Sequence, residues 1–521
     1  MRWPLRWSGA ASPAGWSALP RSAGPSGQVW LVLVAALALA AFSGLLTAMG
    51  GGYIAVLFVL ATTLAVAGML DFRFAVFALM LAFPLTATYF FPRKLFGVTG
   101  LNPFNVLFLF ALTSFLLHRL FSRRETLAPL PSLRFFWPLV AALAAGTIIG
   151  SRSVDLIPAF FYRESILFET KGEYVRDVFV KPLITLTFIY LIGAAVARSR
   201  RMQSWTWLVL LGGSTLAVLV LLFVVLAGVP IGALSEASAR SFLSPTGLHA
   251  NELGVALLPL YAIALFMVPA LPQARARFAA MAIAALALVA LALTFSRAAF
   301  LAVLLVSVLF AVKRRRLIWV LFALAIVVLA ALMAPQPIKD RLVRGWDTST
   351  IGARNSGSDT LTAGRVGGIW QPLWPDARAH AIVGNGIHST MWSSAARRGL
   401  IFVAHPHNAY LRLLMDHGVV FGALVVLFLW RVWRLWRRLA RSPDVPPLLR
   451  AFFDGVSVAF LAFLGQCMSG STLVFDLSHA VYLGALGLAL GVAVHLERNA
   501  TPWRREGLGS RPRTMEPLGR R

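Results

Sequence analysis

The chain contains 521 residues, of which 59% are hydrophobic and only 13% are charged, and its formal net charge at pH 7 is +28. Apolar runs of about 18 residues or more recur throughout it, as in membrane proteins with several spanning helices. These features exclude a soluble globular protein. Because one bundle of helices can use the whole chain, the length does not set a number of soluble domains.

The positive charge is better explained by orientation in a membrane than by binding to nucleic acid. Basic clusters next to membrane spans orient those spans by the positive-inside rule, and much of the charge lies in such clusters. We therefore predict no nucleic-acid partner. The single cysteine, Cys467, lies within an apolar run, so the sequence contains neither a disulfide framework nor a thiolate metal site.

Residues 1–27 are predicted to form a basic cytoplasmic tail. They contain Arg2, Arg6 and Arg21 among many Gly, Pro and Ser residues, which resembles the start of a signal peptide. The apolar segment that follows is long and more apolar segments come after it, so we interpret the tail as uncleaved. Residues 497–521 form a second basic cytoplasmic tail.

Between the tails we predict about fourteen membrane spans, and therefore an all-α, polytopic membrane helix bundle. The predicted spans are residues 28–47, 52–70, 74–91, 103–121, 135–150, 179–197, 206–228, 252–269, 278–294, 298–312, 317–333, 418–432, 452–468 and 479–496. With the N-terminus inside, nearly every short basic cluster falls on the cytoplasmic side, which supports this orientation. These clusters are residues 123–125, 198–201, 313–316 and 431–441.

The predicted topology places one large loop on the non-cytoplasmic face. A first transmembrane part covers residues 28–333, the loop covers residues 334–417, and the last three helices cover residues 418–496. Two smaller loops on the same face are residues 151–178, a mixed-charge stretch predicted to lie along the membrane interface, and residues 229–251. The polar residues of chemical interest lie in these loops and at the adjoining helix ends.

Arg297 lies between two apolar runs, in the sequence LALTFSRAAFLAVLL. A guanidinium in such a place is costly unless it faces water, a partner or a ligand. It either snorkels at a tight turn between two helices or binds an anion at the non-cytoplasmic surface of the membrane. We favour the anion, because no acidic residue is close to it in the sequence.

Two further polar groups are predicted near the same membrane face. Arg240 is followed by a Pro-Gly turn and by His249–Asn251 at the head of a helix, where Asn251 is either an N-cap or a ligand-binding residue. Arg365 precedes a Gly-Asn-Gly turn at residues 384–386. Glycines let backbone N–H groups approach a ligand, although this pattern more often forms only a turn.

The sequence His405-Pro406-His407-Asn408 is the most informative motif. Asn408 is predicted to cap a short helix that ends at Gly418. Two histidines one residue apart suggest a metal ion, but no cysteine and few acids complete a coordination shell, so we predict neither metal nor cofactor. A neutral imidazole suits a general base that takes the proton of an attacking hydroxyl, and the alternative is a histidine that binds the loop backbone.

Several arginines and one histidine base, without a set of metal ligands, fit transfer of a group from a phosphate-linked donor. The arginines would hold a diphosphate and offset the charge that develops on the leaving group. A nucleoside diphosphate is not expected outside the cytoplasm. A lipid-linked diphosphate that lies in the bilayer is therefore the natural donor.

Five segments resemble the O-antigen ligase and polymerase superfamily. They are SRAAFLA at 296–302, AGRVGGIWQPLW and IVGNGIH within 363–388, HNAYLRLLMDHGVVFG at 407–422 and, more weakly, PTGLHANELG at 245–254. The most specific element is HN-x-YL-x-x-L-x-x-x-G, which follows the large loop and includes Tyr410.

The resemblance implies a GT-C-like glycosyltransferase of the bacterial inner membrane that needs no metal and whose active site faces the periplasm. It would take a glycan from undecaprenyl diphosphate and give it to an acceptor hydroxyl. That acceptor is a lipid A core sugar in ligases, another lipid-linked repeat unit in polymerases and a protein serine in a third branch. By position, His407 and Arg297 match catalytic residues. The residues predicted to bind substrate are Arg240, His249, Asn251, Arg365, His405, Asn408 and Tyr410.

Some questions stay open at this level. Relatives commonly have about a dozen helices, so the predicted count means an added pair or a miscount. The proximity of His405 to His407 leaves the identity of the base open. We prefer a ligase to a polymerase only slightly. The alternative of a different class is a polysaccharide transporter or assembly component, and a transporter would need related halves with broken helices near the midplane, which the sequence lacks.

Overall fold

The computed structural model of the chain describes ten stretches, all within one compact unit that spans residues 67–521. They are residues 71–88, 94–95, 98–99, 102–121, 130–164, 168–226, 247–294, 296–314, 365–470 and 472–506. The predicted spans at 28–47, 52–70 and 317–333 lie outside these residues, as do Arg240 and the predicted tail at 1–27.

The described residues are helical almost throughout. Their α-helices are α1 (Phe72–Ala82), α2 (Pro103–Phe121), α3 (Trp137–Gly150), α4 (Ala159–Glu164), α5 (Lys171–Val175), α6 (Lys181–Ala197), α7 (Ser204–Leu226), α8 (Ala250–Met267), α9 (Ala274–Leu293), α10 (Arg297–Arg314), α11 (Gln371–Ala379), α12 (Ser394–Arg397), α13 (Ala409–Arg441), α14 (Pro447–Gln466) and α15 (Ala480–Glu506). Turns and loops connect these helices, and two short antiparallel strands, β1 (Lys94–Leu95) and β2 (Val98–Thr99), form the β-structure of the described residues.

Eight helices in the described part of the chain are long and apolar enough to cross a membrane. They are residues 104–121, 171–197, 204–226, 250–270, 274–293, 409–441, 447–466 and 480–498. The predicted spans at 74–91 and 135–150 correspond to shorter apolar helices, and α10 carries charged residues at both ends. The protein is therefore an all-helical, multi-pass membrane protein, while the total of about fourteen spans stays a prediction.

Two helix boundaries differ from the predicted ones. The helix predicted to begin at residue 179 begins at Lys171, because a π-helical turn at Arg176–Val180 joins α5 to α6. The helix predicted to begin at residue 418 is the second half of α13, which begins at Ala409 and is interrupted by non-helical dihedral angles at Gly418.

The most enclosed helices are α8 and α15. Helix α8 packs against α9, α10 and α14, and α15 packs against α6 and α7. Gly455 lets α14 approach α8 closely, since a Cβ atom there would lie 2.8 Å from Cα of Ile263. Small residues at helix contacts are the usual means of close packing in a membrane, where lipid removes most of the hydrophobic driving force between helices.

Basic side chains gather at one end of this bundle. Asp454, near the start of α14, pairs with Lys313 at the end of α10 and, at 3.1 Å, with Arg437 near the end of α13. These contacts bring the ends of α10 and α13 together with the start of α14. The starts of α10 and α13 and the end of α14 accordingly lie at the opposite end of the bundle.

Replacing Gly455 with Ala tests the close contact between α8 and α14. The added methyl group would overlap with backbone atoms that cannot move away, which predicts a loss of about 1–3 kcal/mol of stability and a lower melting temperature in detergent. Gly465→Ala, in the same helix, is the matched control because nothing lies within 4 Å of the new methyl group. Equal melting temperatures for the two variants would contradict this packing.

Candidate functional site

The His405–Asn408 turn is attached to the start of α13. Asn408 caps this helix, since its side chain accepts hydrogen bonds from the N–H groups of Tyr410 at 3.0 Å and Leu411 at 3.1 Å, as the sequence predicted. The Tyr410 hydroxyl donates to the carbonyl oxygen of Leu464 at 2.8 Å, and the N–H of Ala409 donates to that of Cys467 at 2.9 Å. The start of α13 is thereby fixed to the end of α14.

Within the turn, His405 holds the backbone of His407. The N–H of His407 donates to Nδ1 of His405 at 3.3 Å, and the two rings meet edge to face with their centroids 4.2 Å apart. His407 has a φ of 50°, in the left-handed region that few non-glycine residues occupy. The indole of Trp370 donates to the carbonyl oxygen of Pro406 at 2.8 Å, which connects the turn to the helical segment that follows Arg365.

The environment of His405 keeps its ring neutral. Desolvation, together with the nearby His407 and Arg412, lowers the pKa of His405 to about 2. Because Nδ1 accepts a hydrogen bond, the ring proton is assigned to Nε2. His405 is therefore a weak base with a backbone-binding role.

The head of α8 carries a second polar group. His249 caps the helix through Nδ1, which accepts from the N–H of Asn251 at 3.2 Å, and Glu252 accepts from the N–H of His249 at 3.0 Å. The interpretation of Asn251 as the N-cap is therefore wrong, because His249 occupies that position. The side-chain oxygen of Asn251 accepts a hydrogen bond from the hydroxyl of Ser296 at 2.9 Å, directly before Arg297.

These segments meet at a pocket of about 560 Å³ that is open to solvent. Residues from four segments line it: His249, Asn251, Glu252 and Val255, then His405 and His407, then Cys467, Ser469, Gly470 and Thr472, and finally Ser478 and His479. The structure thus brings His249 and Asn251 together with the two loop histidines. Arg297 lies at the head of α10, one residue beyond Ser296, and outside the pocket lining.

Other predicted residues lie around the pocket. Asn408 and Tyr410 lie behind the turn, at the α13–α14 contact. Arg365 lies five residues before Trp370 in the segment that contacts Pro406. Arg240 lies outside the described residues.

A buried ion pair in α13, Arg412 with Asp416, binds the segment around Ser389. Asp416 accepts hydrogen bonds from the N–H of Ser389 at 3.0 Å, from its hydroxyl at 2.7 Å and from Nε of Arg412 at 3.2 Å. Only 16% of the Arg412 side chain and 5% of that of Asp416 are exposed, so each charge depends on the other. Desolvation and the charge of Arg412 lower the pKa of the adjacent His388 to about 4.

The Gly-Asn-Gly turn wraps around the break in α13. The N–H of Asn385 donates to the carbonyl oxygen of Met415 at 2.8 Å. The N–H of Gly386 donates to the backbone carbonyl oxygen of Asp416 at 3.1 Å. At Gly418, where φ is 62°, a Cβ atom would lie 2.4 Å from the nitrogen of Gly384. These N–H groups therefore bind the protein and not a ligand, which confirms the interpretation as a turn.

Several residues at the site escaped the sequence analysis. Arg412 and Asp416 are four residues apart on one helix, a spacing that could have identified the pair. His479 and Asp476 follow an apolar run in a short linker, where nothing in the sequence distinguishes them from a helix cap. Among the described residues, no group of three or more His, Cys, Asp or Glu side chains has the geometry of a metal site.

Residues 282–427 match the family model described as O-antigen ligase. The matched segment is similar to that family and covers less than a third of the chain. It runs from within α9 to within α13 and contains Arg297, Arg365, His405 and His407. No curated protein matches the chain. The match confirms the resemblance to the O-antigen ligase and polymerase superfamily, and the apolar helices agree with a membrane enzyme of that type.

The lowered pKa values of His388 and His405 predict that acid destabilises the part of the fold that holds these two histidines. Below the ordinary histidine pKa of 6.5, the unfolded chain binds protons that the folded chain rejects until about pH 4 at His388 and about pH 2 at His405. The stability present above pH 6.5 is therefore lost as the pH falls, by up to about 1.4 kcal/mol per pH unit for each histidine.

The melting temperature measured in detergent between about pH 7.5 and pH 5 checks this prediction. His388→Asn should flatten the decline, and asparagine suits the positive φ of 70° at this position. His380→Asn is the matched control for the loss of a histidine from the same segment, where Nδ1 of His380 lies 3.0 Å from the carbonyl oxygen of Asp376. The decline for His388→Asn should be flatter than the decline for this control. Parallel curves for His388→Asn and the unaltered protein would contradict the account.

Proposed function

We propose that the protein transfers a glycan from undecaprenyl diphosphate to an acceptor hydroxyl on the periplasmic face of the bacterial inner membrane. The preferred acceptor is a sugar of the lipid A core, which makes the enzyme an O-antigen ligase. The observation that carries the proposal is the pocket in which the His405–His407 turn meets the head of α8. The head of α10 is attached beside this pocket through the hydrogen bond from Ser296 to Asn251, and both loop histidines lie in the matched segment.

In the proposed reaction, the acceptor oxygen bonds to the anomeric carbon of the glycan while the bond from that carbon to the diphosphate oxygen breaks. The bonding electrons leave with undecaprenyl diphosphate. His407 takes the proton of the acceptor hydroxyl as the new bond forms. His405 is unsuited to this task, since its Nδ1 binds the backbone and desolvation lowers its pKa to about 2.

Positive charge from arginines and helix ends favours the diphosphate at this place. The half-buried Arg297 has no acidic partner among the residues that the structure describes, so its charge is available to an anion. Helices α8, α10, α13 and α15 all begin beside the pocket, and helix N-termini stabilise negative charge. Arg365 and Arg240 are proposed to add to this field, which would serve in place of a metal ion.

The distribution of charge supports a periplasmic site. The pocket lies at the end of the bundle opposite the Lys313–Asp454–Arg437 cluster, and basic residues mark the cytoplasmic side of bacterial membrane proteins. Polar groups concentrated at one membrane face also favour a transferase over a transporter, which needs its polar site near the midplane.

Replacing His407 with Asn should abolish transfer. Asparagine tolerates the left-handed backbone but cannot act as a base, so kcat should fall by about 10²- to 10⁴-fold. The assay uses purified full-length protein, undecaprenyl-diphosphate-linked glycan and lipid A core, with EDTA present. His380→Asn serves as the control that retains activity, and a fully active His407→Asn variant would remove the proposed base.

The same variant in cells distinguishes the acceptors. Cells that make His407→Asn instead of the natural protein should accumulate full-length glycan chains on the lipid carrier if the enzyme is a ligase. An inactive polymerase instead leaves single repeat units attached to the final acceptor, and that product would replace the ligase assignment by the polymerase alternative.

Cysteine labelling tests the proposed orientation. In a Cys467→Ala background, Leu400→Cys places an exposed thiol in the loop beside α12, and Asp444→Cys places one in the exposed linker between α13 and α14 at the basic end. A membrane-impermeant maleimide added to spheroplasts should label residue 400 alone, and residue 444 should react only after permeabilisation. The reverse pattern would place the pocket in the cytoplasm.

A further inference from the structure

Two Trp–Arg pairs of the same spacing lie on the surface of the described helices. In α13 the guanidinium carbon of Arg434 lies 4.9 Å from the ring centre of Trp430. In α11 that of Arg378 lies 5.3 Å from the ring centre of Trp374. All four side chains are exposed. Tryptophan and arginine are typical of the boundary between a membrane and water, because each has an apolar part and a polar end.

The exposed face of the membrane span α13 is apolar up to the break in this helix. Val419, Val426 and Trp430 are exposed and follow one another at helical spacing. From Val419 to Arg434 the helix rises by about 22 Å, at about 1.5 Å per residue. The apolar layer of a bilayer is about 30 Å thick. With Arg434 at one edge of this layer, lipid acyl chains therefore still reach the level of Val419.

A segment that follows α11 lies at this level. The N–H of Val419 donates to the carbonyl oxygen of Ala381 at 2.7 Å, and the N–H of Val420 donates to that of Ile382 at 3.0 Å. Gly418 allows the close approach, since a Cβ atom there would lie 2.5 Å from the carbonyl oxygen of Ile382. The segment thus binds the first N–H groups after the break, which a helix start leaves without helical partners.

This arrangement suits a place inside the apolar layer. Water is absent there, so irregular backbone is tolerated only where the protein satisfies its polar groups. The same stretch continues with the N–H of Gly384, which donates to the carbonyl oxygen of His380 at 2.8 Å. The side chains of Ile382 and Val383 are instead 71% and 46% exposed. The segment therefore binds the protein through its backbone and presents apolar side chains to the outside.

Helix α11 places its Trp–Arg pair directly before this segment. Leu373 and Ala377 are fully buried, which fixes the helix to the protein, while Trp374 and Arg378 stay on its surface. The N–H of Ala381 donates to the carbonyl oxygen of Arg378 at 3.3 Å. The pair consequently lies within a turn of the exposed apolar side chains, as the Trp430–Arg434 pair does at the other end of the α13 face.

We propose that residues 374–383 form an interfacial anchor in the leaflet on the pocket side of the membrane. Ile382 and Val383 lie among the acyl chains. Trp374 and Arg378 lie among the headgroups, where the guanidinium binds lipid phosphate. This surface continues the lipid-facing side of α13, which identifies bilayer lipid as its partner.

The anchor is connected to the pocket. Helix α11 begins directly after Trp370, whose indole donates to the carbonyl oxygen of Pro406 at 2.8 Å. Lipid contact at one end of this helical segment therefore holds the His405–His407 turn at the membrane surface. A molecule that is itself held in the bilayer by a lipid tail presents its headgroup at the same level.

Depth-dependent fluorescence quenching tests the anchor. Full-length protein with the substitutions Cys467→Ala and Ile382→Cys is labelled with the fluorophore NBD and placed in nanodiscs of phosphatidylethanolamine and phosphatidylglycerol. Some lipids carry a nitroxide quencher, either next to the headgroup or near the end of the acyl chain. The label at residue 382 should lose more fluorescence to the nitroxide next to the headgroup, and aqueous iodide should leave it unquenched.

Two matched controls define the scale of depth. Val426→Cys lies in the middle of the exposed face of α13, and Asp444→Cys lies in the exposed linker at the basic end. The label at residue 426 should be quenched more by the nitroxide near the end of the acyl chain, and the label at residue 444 by iodide alone. Val383→Cys repeats the measurement at a neighbouring exposed position if Ile382→Cys fails to fold.

Each other pattern at residues 382 and 383 overturns the proposal. Quenching by iodide and not by lipid would leave this surface in water, where a glycan could occupy it. Absence of both kinds of quenching would mean that protein covers it, such as a second copy of the chain. An order of quenching like that of residue 426 would place the segment near the midplane instead of the membrane surface.

Discussion

Apolar helices in a membrane tolerate charged and polar side chains mainly where the helices end, because a charge surrounded by hydrocarbon is expensive to desolvate. The architecture of this protein follows from that constraint. One end of the bundle collects lysines and arginines around Asp454, and the other collects histidines, Asn251 and Ser296 around a pocket. The site is therefore built from helix ends, and the bundle sets the distances between them.

The pocket depends on how firmly the loop before α13 is held. Gly418 breaks helix α13, and the Gly-Asn-Gly turn at residues 384–386 forms hydrogen bonds to the backbone at this break. The Arg412–Asp416 pair binds Ser389, which follows that turn in the chain. This buried pair is costly to disrupt, because either charge alone would remain desolvated. The left-handed backbone of His407 is held within this region by the Nδ1 atom of His405 and by the indole of Trp370, which binds Pro406.

Much of the fold could be predicted from local sequence, whereas the arrangement of the candidate site depends on contacts between distant segments. Hydropathy predicted the apolar helices, and the residues of HNAYLRLLMDHG predicted the Asn408 cap and the break at Gly418. No local pattern could show that His249 displaces Asn251 as the cap, or that Asn251 instead binds Ser296, 45 residues away. Nor could spacing distinguish His405 from His407, since the difference arises from a backbone hydrogen bond and from desolvation by packed neighbours.

The central claim is that a prenyl diphosphate lies between Arg297 and the His405–His407 turn, at the end of the bundle away from the basic cluster. An electron cryo-microscopy structure of the protein in nanodiscs with undecaprenyl diphosphate tests this claim most directly. The account predicts density for the two phosphates beside the heads of α8 and α10, within reach of the Arg297 guanidinium. Phosphate density at the Lys313–Asp454–Arg437 end, with none at the pocket, would contradict it.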